Sequence, residues 1–90
     1  MPKVILSEQQ AQRSKLIKRM DKFDSVVTEY LRATGFTTDE LAAKLGVSKT
    51  TLWRYRSHAE SFDKASFGVI TAALRLANCT NETLRYICGL

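Results

Sequence analysis

The chain has 90 residues, 44% of them hydrophobic, with one proline and four glycines; this composition is typical of one compact domain and excludes a disordered chain. No stretch approaches the roughly 20 apolar residues of a membrane span, and the apolar segment near the N-terminus is too short for a signal peptide. We therefore expect a cytoplasmic protein whose two cysteines are reduced. Neither their spacing nor the single histidine fits a zinc site.

Positive charge is concentrated in two parts of the chain. The net charge is +5. Residues 1–22 hold six Lys or Arg and two acids, and residues 48–57 hold three Lys or Arg and no acid. A clustered basic surface is typical of proteins that bind a polyanion. The charge distribution therefore favours nucleic acid as a partner.

Apolar residues recur at helical spacing along the chain, and the first predicted helix covers residues 7–33. Ser7 and Gln10 form a predicted capping box at its start. Asp21 is able to cap a second start, so the pattern allows one long helix or two abutting helices. Gly35 follows at the position that favours a left-handed helix end.

Two short helices follow, joined by a tight turn. Thr37 and Glu40 form a predicted capping box for the first helix. Gly46 supplies the positive φ that a sharp turn requires, and Ser48 caps the second helix. This pattern predicts a helix-turn-helix over about residues 37–57.

The rest of the chain predicts a loop at about residues 58–63 and two further helices. Residues 67–77 are apolar almost all round, which is expected of a helix in the centre of the core. Thr80 caps the last helix, and Cys79 and Cys88 are expected to be small core residues. The predicted fold class is therefore all-α, with five or six helices.

The helix at residues 48–57 has two chemically different faces. At 100° per residue, an outer arc of about 140° carries cations, hydroxyls and one indole, and Leu52 and Tyr55 lie opposite. Such a helix fits the major groove of DNA, where Arg and Lys bond guanine and Thr meets either polar edges or a thymine methyl. A merely solvated face is the alternative, but the missing acids and the preceding turn favour DNA contact. The outer residues are Lys49, Thr50, Trp53, Arg54 and Ser57.

The stretch TTDELAAKLGVSKTTLWRYRS resembles the helix-turn-helix of the Cro and lambda-repressor-like family of bacterial and phage regulators. The resemblance covers about residues 22–88 and implies a compact five-helix DNA-binding domain, here residues 22–90. Residues 1–21 then form a basic and helical N-terminal extension, which is not part of the family's domain. The positions that match the family's pattern are Thr37, Glu40, Leu41, Ala42, Leu45, Gly46, Val47, Ser48 and Leu52.

The resemblance also implies which residues contact DNA. Lys49, Thr50 and Arg54 match positions of base contacts, and Ser57 matches a position that often bonds phosphate. Thr38 stands where the family often has a Gln near the phosphates, and its shorter side chain can make only part of that contact. The predicted contacts to the DNA backbone are Thr38, Ser48, Trp53, Arg56 and Ser57.

Two residues of this segment, Arg56 and Trp53, leave alternatives open, and a third, His58, departs from the family's pattern. Arg56 replaces a Glu that is common in the family, and it is either a further phosphate contact or not a DNA contact at all. His58 replaces a common Gly and is expected to be an exposed loop residue. Trp53 either lies along the sugar–phosphate wall, with its indole N–H donating to a phosphate, or packs under the N-terminal helix.

The basic extension allows three interpretations. It is a solvated face of an amphipathic helix, a source of further DNA backbone contacts, or a dimer helix that buries Leu16, Ile17 and Met20. Its basic residues are Arg13, Lys15, Lys18, Arg19 and Lys22.

The sequence thus predicts a small sequence-specific DNA-binding regulator, a repressor of phage or mobile-element type. We expect a homodimer that occupies a palindromic operator in double-stranded DNA. The alternatives are an antitoxin-type protein-interaction module that also binds DNA, and a DNA-binding accessory of a recombinase. No nucleophile–base pair, phosphate loop or pair of acids can be assembled, so an enzyme is not predicted. No cofactor, metal or small-molecule ligand is expected.

Overall fold

The computed structural model describes the backbone of residues 8–89 and the side chains of residues 13–89. All regular structure in this part of the chain is α-helical, so the predicted all-α fold class is confirmed. No helix within it is long and apolar enough to cross a membrane. The helices are α1 (Glu8–Thr34), α2 (Thr38–Leu45), α3 (Lys49–Ser57), α4 (Ala59–Lys64), α5 (Phe67–Leu76) and α6 (Asn81–Cys88).

Helix α1 is one continuous helix of 27 residues, which makes it about 40 Å long. Asp21 lies inside it and caps no second helix, so the arrangement with two abutting helices is excluded. The predicted capping box of Ser7 and Gln10 involves side chains outside the described residues. Residues 8–21 of the expected extension are therefore continuous with the helix that begins the expected domain.

Helices α2 and α3 begin and end as predicted. The Thr37 hydroxyl accepts a hydrogen bond from the Glu40 N–H at 3.2 Å, and the Glu40 carboxylate accepts one from the Thr37 N–H at 2.9 Å. Gly46 has φ 74°, in the left-handed region that only glycine adopts without strain. The Ser48 hydroxyl then accepts from the Thr51 N–H at 3.0 Å and starts α3. These local bonds fix the direction of α3 relative to α2.

The prediction of a loop at residues 58–63 is wrong, because Ala59–Lys64 form the short helix α4. His58 closes α3 by donating its N–H to the Arg54 carbonyl at 2.8 Å, and its own carbonyl accepts from the Phe62 N–H at 2.9 Å. No side chain caps α4. The helix is held by tertiary packing instead, since Ala59 and Phe62 are buried and the Phe62 ring lies 5.7 Å from that of Phe23.

The core is formed by side chains from all six helices. Helix α5 is central only in part: Leu74 is fully buried, but Phe67 and Leu76 are exposed by 57% and 42%. The prediction that α5 is surrounded by protein therefore holds for one face. Cys79 and Cys88 pack half-buried against the core, as expected, and burial raises the pKa of the Cys79 thiol. The buried residues are Met20, Phe23, Val27, Leu41, Ala42, Leu52, Ala59, Phe62, Ile70, Ala73, Leu74 and Ile87.

The apolar residues in the first half of α1 are already largely used inside the chain. Met20 is buried in the core and Leu16 packs half-buried against it, whereas Ile17 is exposed by 36%. A dimer helix that buries all three residues is therefore inconsistent with their placement. Of the three, only Ile17 presents a substantial apolar surface to solvent.

Arg19 is a structural residue and does not belong to an exposed basic face. Its guanidinium Nε donates to the Ile87 carbonyl at 2.9 Å, at the end of α6. It also lies over the Phe62 ring, 5.7 Å from the centroid. A cation at the C-terminus of a helix is favourable, so Arg19 connects α1, α4 and α6.

Candidate nucleic-acid interface

The structure separates the two faces of α3 as the helical spacing predicts. The inner residue Leu52 is fully buried, and Thr51 and Tyr55 are half-buried beside it. All five outer residues are exposed: Lys49, Thr50, Trp53, Arg54 and Ser57. One side of α3 thus anchors the helix to the core, and the other presents a continuous polar and cationic surface.

Helix α3 packs against three other helices, α1, α2 and α4. At its start, the Ser48 hydroxyl both accepts from the Thr51 N–H and donates to the Thr51 hydroxyl at 2.8 Å. Both of these bonds of the Ser48 side chain are therefore used to cap α3. The exposed face of α3 is presented by a rigid support, which is what recognition of a fixed pattern of groups requires.

The first turn of α2 lies beside the start of α3. The Lys49 ammonium is 3.9 Å from the Asp39 carboxylate, and both side chains are about two-thirds exposed, at 65% and 68%. Such a pair is weak and yields readily to a stronger anion. Thr38, the first residue of α2, is half-buried next to this pair, so its placement is compatible with the partial phosphate contact expected of it.

Trp53 is exposed by 55% and packs against His58 in a tilted arrangement, with ring centroids 4.9 Å apart and an interplanar angle of 58°. The Ser57 hydroxyl contacts both residues: it donates to the backbone carbonyl of Trp53 at 2.7 Å, and its oxygen is 3.0 Å from His58 Nδ1. The alternative in which Trp53 packs under α1 is not supported by this placement. His58 is exposed as expected, but it is a fixed junction between two helices and not a loop residue.

Arg56 points toward α1 and away from the outer face. Its Nε lies 2.6 Å from Asp24 Oδ1, and its Nη2 donates to the Thr28 hydroxyl at 3.0 Å. The Arg56 side chain is only 20% exposed. The structure therefore does not bring Arg56 together with the other predicted DNA-contacting residues, and the residue connects α3 to α1.

The exposed basic residues of α1 point in different directions. Arg13 lies only about 20° around the helix from Asp24, to which α3 is bound, whereas Lys22 lies about 160° away. Lys15 and Lys18 are on the same far side as Lys22, about 180° and 120° from Asp24. By helical angle alone, Arg13 is thus the basic residue of this segment on the Asp24 side of α1, and both Arg13 and Lys15 line the cleft between α1 and α4.

The side chains described by the structure form no cluster suited to a metal ion. Within residues 13–89, no group of three or more His, Cys, Asp or Glu side chains is arranged to hold a metal ion. An open cleft of about 800 Å³ lies between α1 and α4. It is lined by four cations interspersed with two acids: Arg13, Lys15, Arg19, Lys64, Glu60 and Asp63. The outer face of α3 remains the chemically most distinctive surface.

Comparison with known proteins places the chain in a family but gives no activity. No curated protein and no solved structure matches it. One family model matches residues 14–86, which is most of the chain, and its description reads "Protein of unknown function, DUF603". The match begins in the first half of α1 and ends in α6, so it includes α2, α3 and the turn between them. The chain therefore belongs to the DUF603 family.

Proposed function

We propose that the protein is a sequence-specific DNA-binding transcriptional regulator, in which α2, the turn at Gly46 and α3 act as a helix-turn-helix and α3 is the recognition helix. The observation that carries the proposal is the outer face of α3, which is exposed, cationic and rich in hydroxyls, and which contains no carboxylate. An ordinary solvated helix carries both signs of charge.

The dimensions and chemistry of this face suit the major groove, which is about 12 Å wide and admits one α-helix. Arg54 has the planar fork of donors that pairs with the O6 and N7 atoms of guanine. Thr50 is able to bond a base edge or contact a thymine methyl, and Lys49 donates to guanine once it leaves Asp39. These three residues are the proposed base contacts.

The proposed backbone contacts surround the base-reading residues. Thr38 and Ser48 flank the start of α3, and Trp53 and Ser57 lie toward its end. Contacts of this kind fix the register of a protein on the duplex and carry no sequence information themselves. Two donor nitrogens of Arg56 already bond inside the protein. The hydroxyl protons of Ser48 and Ser57 are likewise engaged, with the Thr51 hydroxyl and the Trp53 carbonyl, so these side chains donate to a phosphate only by exchanging those bonds.

The proposed mode of action is repression by occupancy of an operator in a bacterial or phage genome, which implies a cytoplasmic protein. A homodimer on a palindromic site would place two copies of α3 about 34 Å apart, one helical turn of DNA. The half-site spacing of the bound DNA is therefore a direct readout of the oligomeric state.

Selection of bound duplexes from random double-stranded DNA, followed by quantitative mobility shift, tests the proposal. We expect Arg54→Ala and Thr50→Ala each to weaken binding to the selected site by about 1–3 kcal/mol and to relax its sequence preference. Arg75→Ala is the matched control, since it removes an exposed arginine from α5 and should weaken binding only slightly. Unchanged binding in both α3 variants, or equal losses in all three, would contradict the assignment of α3 as the recognition helix.

A further inference from the structure

The hydrogen bonds around Ser57 determine which nitrogen of His58 carries a proton. The Ser57 hydroxyl oxygen is 2.7 Å from the Trp53 carbonyl oxygen. A carbonyl has no proton to give, so the single hydroxyl proton of Ser57 lies between these two oxygens. The Ser57 oxygen can then only accept from His58 Nδ1, 3.0 Å away. Nδ1 of His58 is therefore the protonated nitrogen.

This arrangement restricts what the opposite nitrogen can do. In the neutral ring, a proton on Nδ1 leaves Nε2 with a lone pair, which accepts hydrogen bonds and is repelled by a phosphate oxygen. In the imidazolium, both nitrogens carry a proton, so Nε2 becomes a charged donor. His58 is exposed, and no hydrogen bond to Nε2 is present among the described residues.

His58 has cationic neighbours on α3 and one acidic neighbour, Glu60, two positions further along the chain in the first turn of α4. Within the described residues no ion pair joins His58 to a carboxylate. On α3 the neighbouring charges are cationic, and the carboxylate that α1 brings to this region is paired with Arg56. The α2 acid is beside Lys49, at the other end of α3. The charged groups concerned are Arg54 and Arg56 of α3, Glu60 of α4, Asp24 of α1 and Asp39 of α2.

We infer that Trp53 and His58 form a binding site for one phosphate of the DNA backbone, and that this site is complete only when His58 is an imidazolium. The inference rests on the proposed function. Ser57 holds the imidazole ring, the Trp53 indole packs against it, and Nε2–H donates to the phosphate oxygen. DNA binding then takes up a proton, so the affinity rises as the pH falls through the range, between about pH 5 and 8, in which imidazoles change charge.

The protonated nitrogen can be identified without DNA. His58 is the single histidine of the chain, so the ¹⁵N and ring-proton NMR signals of the imidazole need no assignment among residues. At about pH 8.5 we expect the Nδ1–H tautomer in the wild-type protein. In Ser57→Ala the Nε2–H tautomer should gain population, because its partner is lost. A predominantly Nε2–H ring in the wild-type protein would overturn the inference.

Filter binding to a duplex selected at pH 7.5 tests the site itself. We expect the wild-type protein to bind about fivefold more tightly at pH 5.5 than at pH 7.5. The slope of log K against log salt should be steeper by about one at the lower pH, as expected for one additional phosphate contact. Both changes follow from the proton on Nε2.

Two variants of His58 provide matched controls. His58→Asn keeps a donor for Ser57 but cannot become charged, so it should bind weakly with no change between the two pH values. His58→Lys has a permanent charge and should bind at both pH values as the wild-type protein does at pH 5.5. Circular dichroism establishes that both variants are folded.

The outcomes separate this inference from the proposed function. A pH dependence that persists unchanged in His58→Asn, or tight binding by the wild-type protein that does not vary with pH, overturns the inference and leaves the proposed function intact. An absence of DNA binding by the wild-type protein at either pH overturns the proposed function, and the inference with it.

Discussion

The Nε atom of Arg56 lies 2.6 Å from Oδ1 of Asp24, and this ion pair joins the last turn of α3 to the middle of α1. The residues are 32 positions apart in the chain. Because Arg56 is only 20% exposed and Thr28 binds the same guanidinium, the pair fixes α3 against α1 and is not an ordinary surface ion pair.

Arg56→Ala should lower the free energy of unfolding by about 1–2 kcal/mol, since it removes charge-assisted hydrogen bonds. In a double-mutant cycle with Asp24→Ala we expect a coupling energy of about 1 kcal/mol, because the carboxylate is partly solvated. Urea unfolding gives the free energy of unfolding of the wild-type protein, the two single variants and the double variant. Additive effects of the two substitutions would mean that the pair is not formed in solution.

Substitutions of Ser48 should separate capping from DNA binding. Ser48→Ala removes the bond to the Thr51 N–H and should cost about 1 kcal/mol of stability. Ser48→Asp is also a good cap and favours the helix N-terminus, so it should keep the stability but weaken DNA binding about tenfold or more, because it adds a negative charge near the phosphates. Thermal unfolding and mobility shift give the two readouts. Ser48→Asp with undiminished DNA binding would remove the start of α3 from the interface.

Arg19→Ala should destabilise the protein by about 1–2 kcal/mol, because the Ile87 carbonyl loses a charged donor. Gly89→Ala should destabilise it as well: Gly89 has φ 76°, and an added Cβ would lie 3.0 Å from the Arg19 guanidinium. Chemical denaturation measures the free energy of unfolding of the Arg19→Ala and Gly89→Ala variants.

Arg13→Ala is the control for the Arg19 prediction, since it removes the same charge from an exposed position of the same helix. It should leave the midpoint of unfolding nearly unchanged. If Arg19→Ala and Arg13→Ala have the same stability, the connection between α1 and α6 contributes nothing measurable.

Arg13→Ala and Lys22→Ala should differ in their effect on DNA binding, although each removes one exposed cation from α1. Arg13 shares the side of α1 that faces α3, and Lys22 lies nearly opposite. We expect Arg13→Ala to reduce the salt slope of binding by up to about one and Lys22→Ala to leave it nearly unchanged. The reverse order would place the DNA on the far side of α1.

The parts of the fold that depend on local chemistry could be predicted from the sequence. Thr37, Gly46 and Ser48 specify the ends of α2 and α3 through bonds to residues at most a few positions away, and such bonds are visible in the sequence. The division of α3 into two faces follows from the helical period alone. These features determined where the candidate interface lies.

Features that depend on tertiary contacts could not be predicted. Helix α4 has six residues and no side-chain cap, so its stability comes from the contact between Phe62 and Phe23. Arg56 has the same sequence context as an exposed cation, and only the position of Asp24 on α1 reveals its role. Phe67 looked like a core residue because periodicity does not indicate how many faces of a helix are covered.

The exposure of Trp53 has a spectroscopic consequence. The chain contains one tryptophan, and it lies on the outer face of α3 beside His58 instead of in the core. Its fluorescence emission therefore reports on the local environment of that surface. A change there can be followed without attaching a label to the protein. The same emission is a poor measure of core packing, which for this protein is better followed through the NMR signals of the buried Phe23 and Phe62 rings.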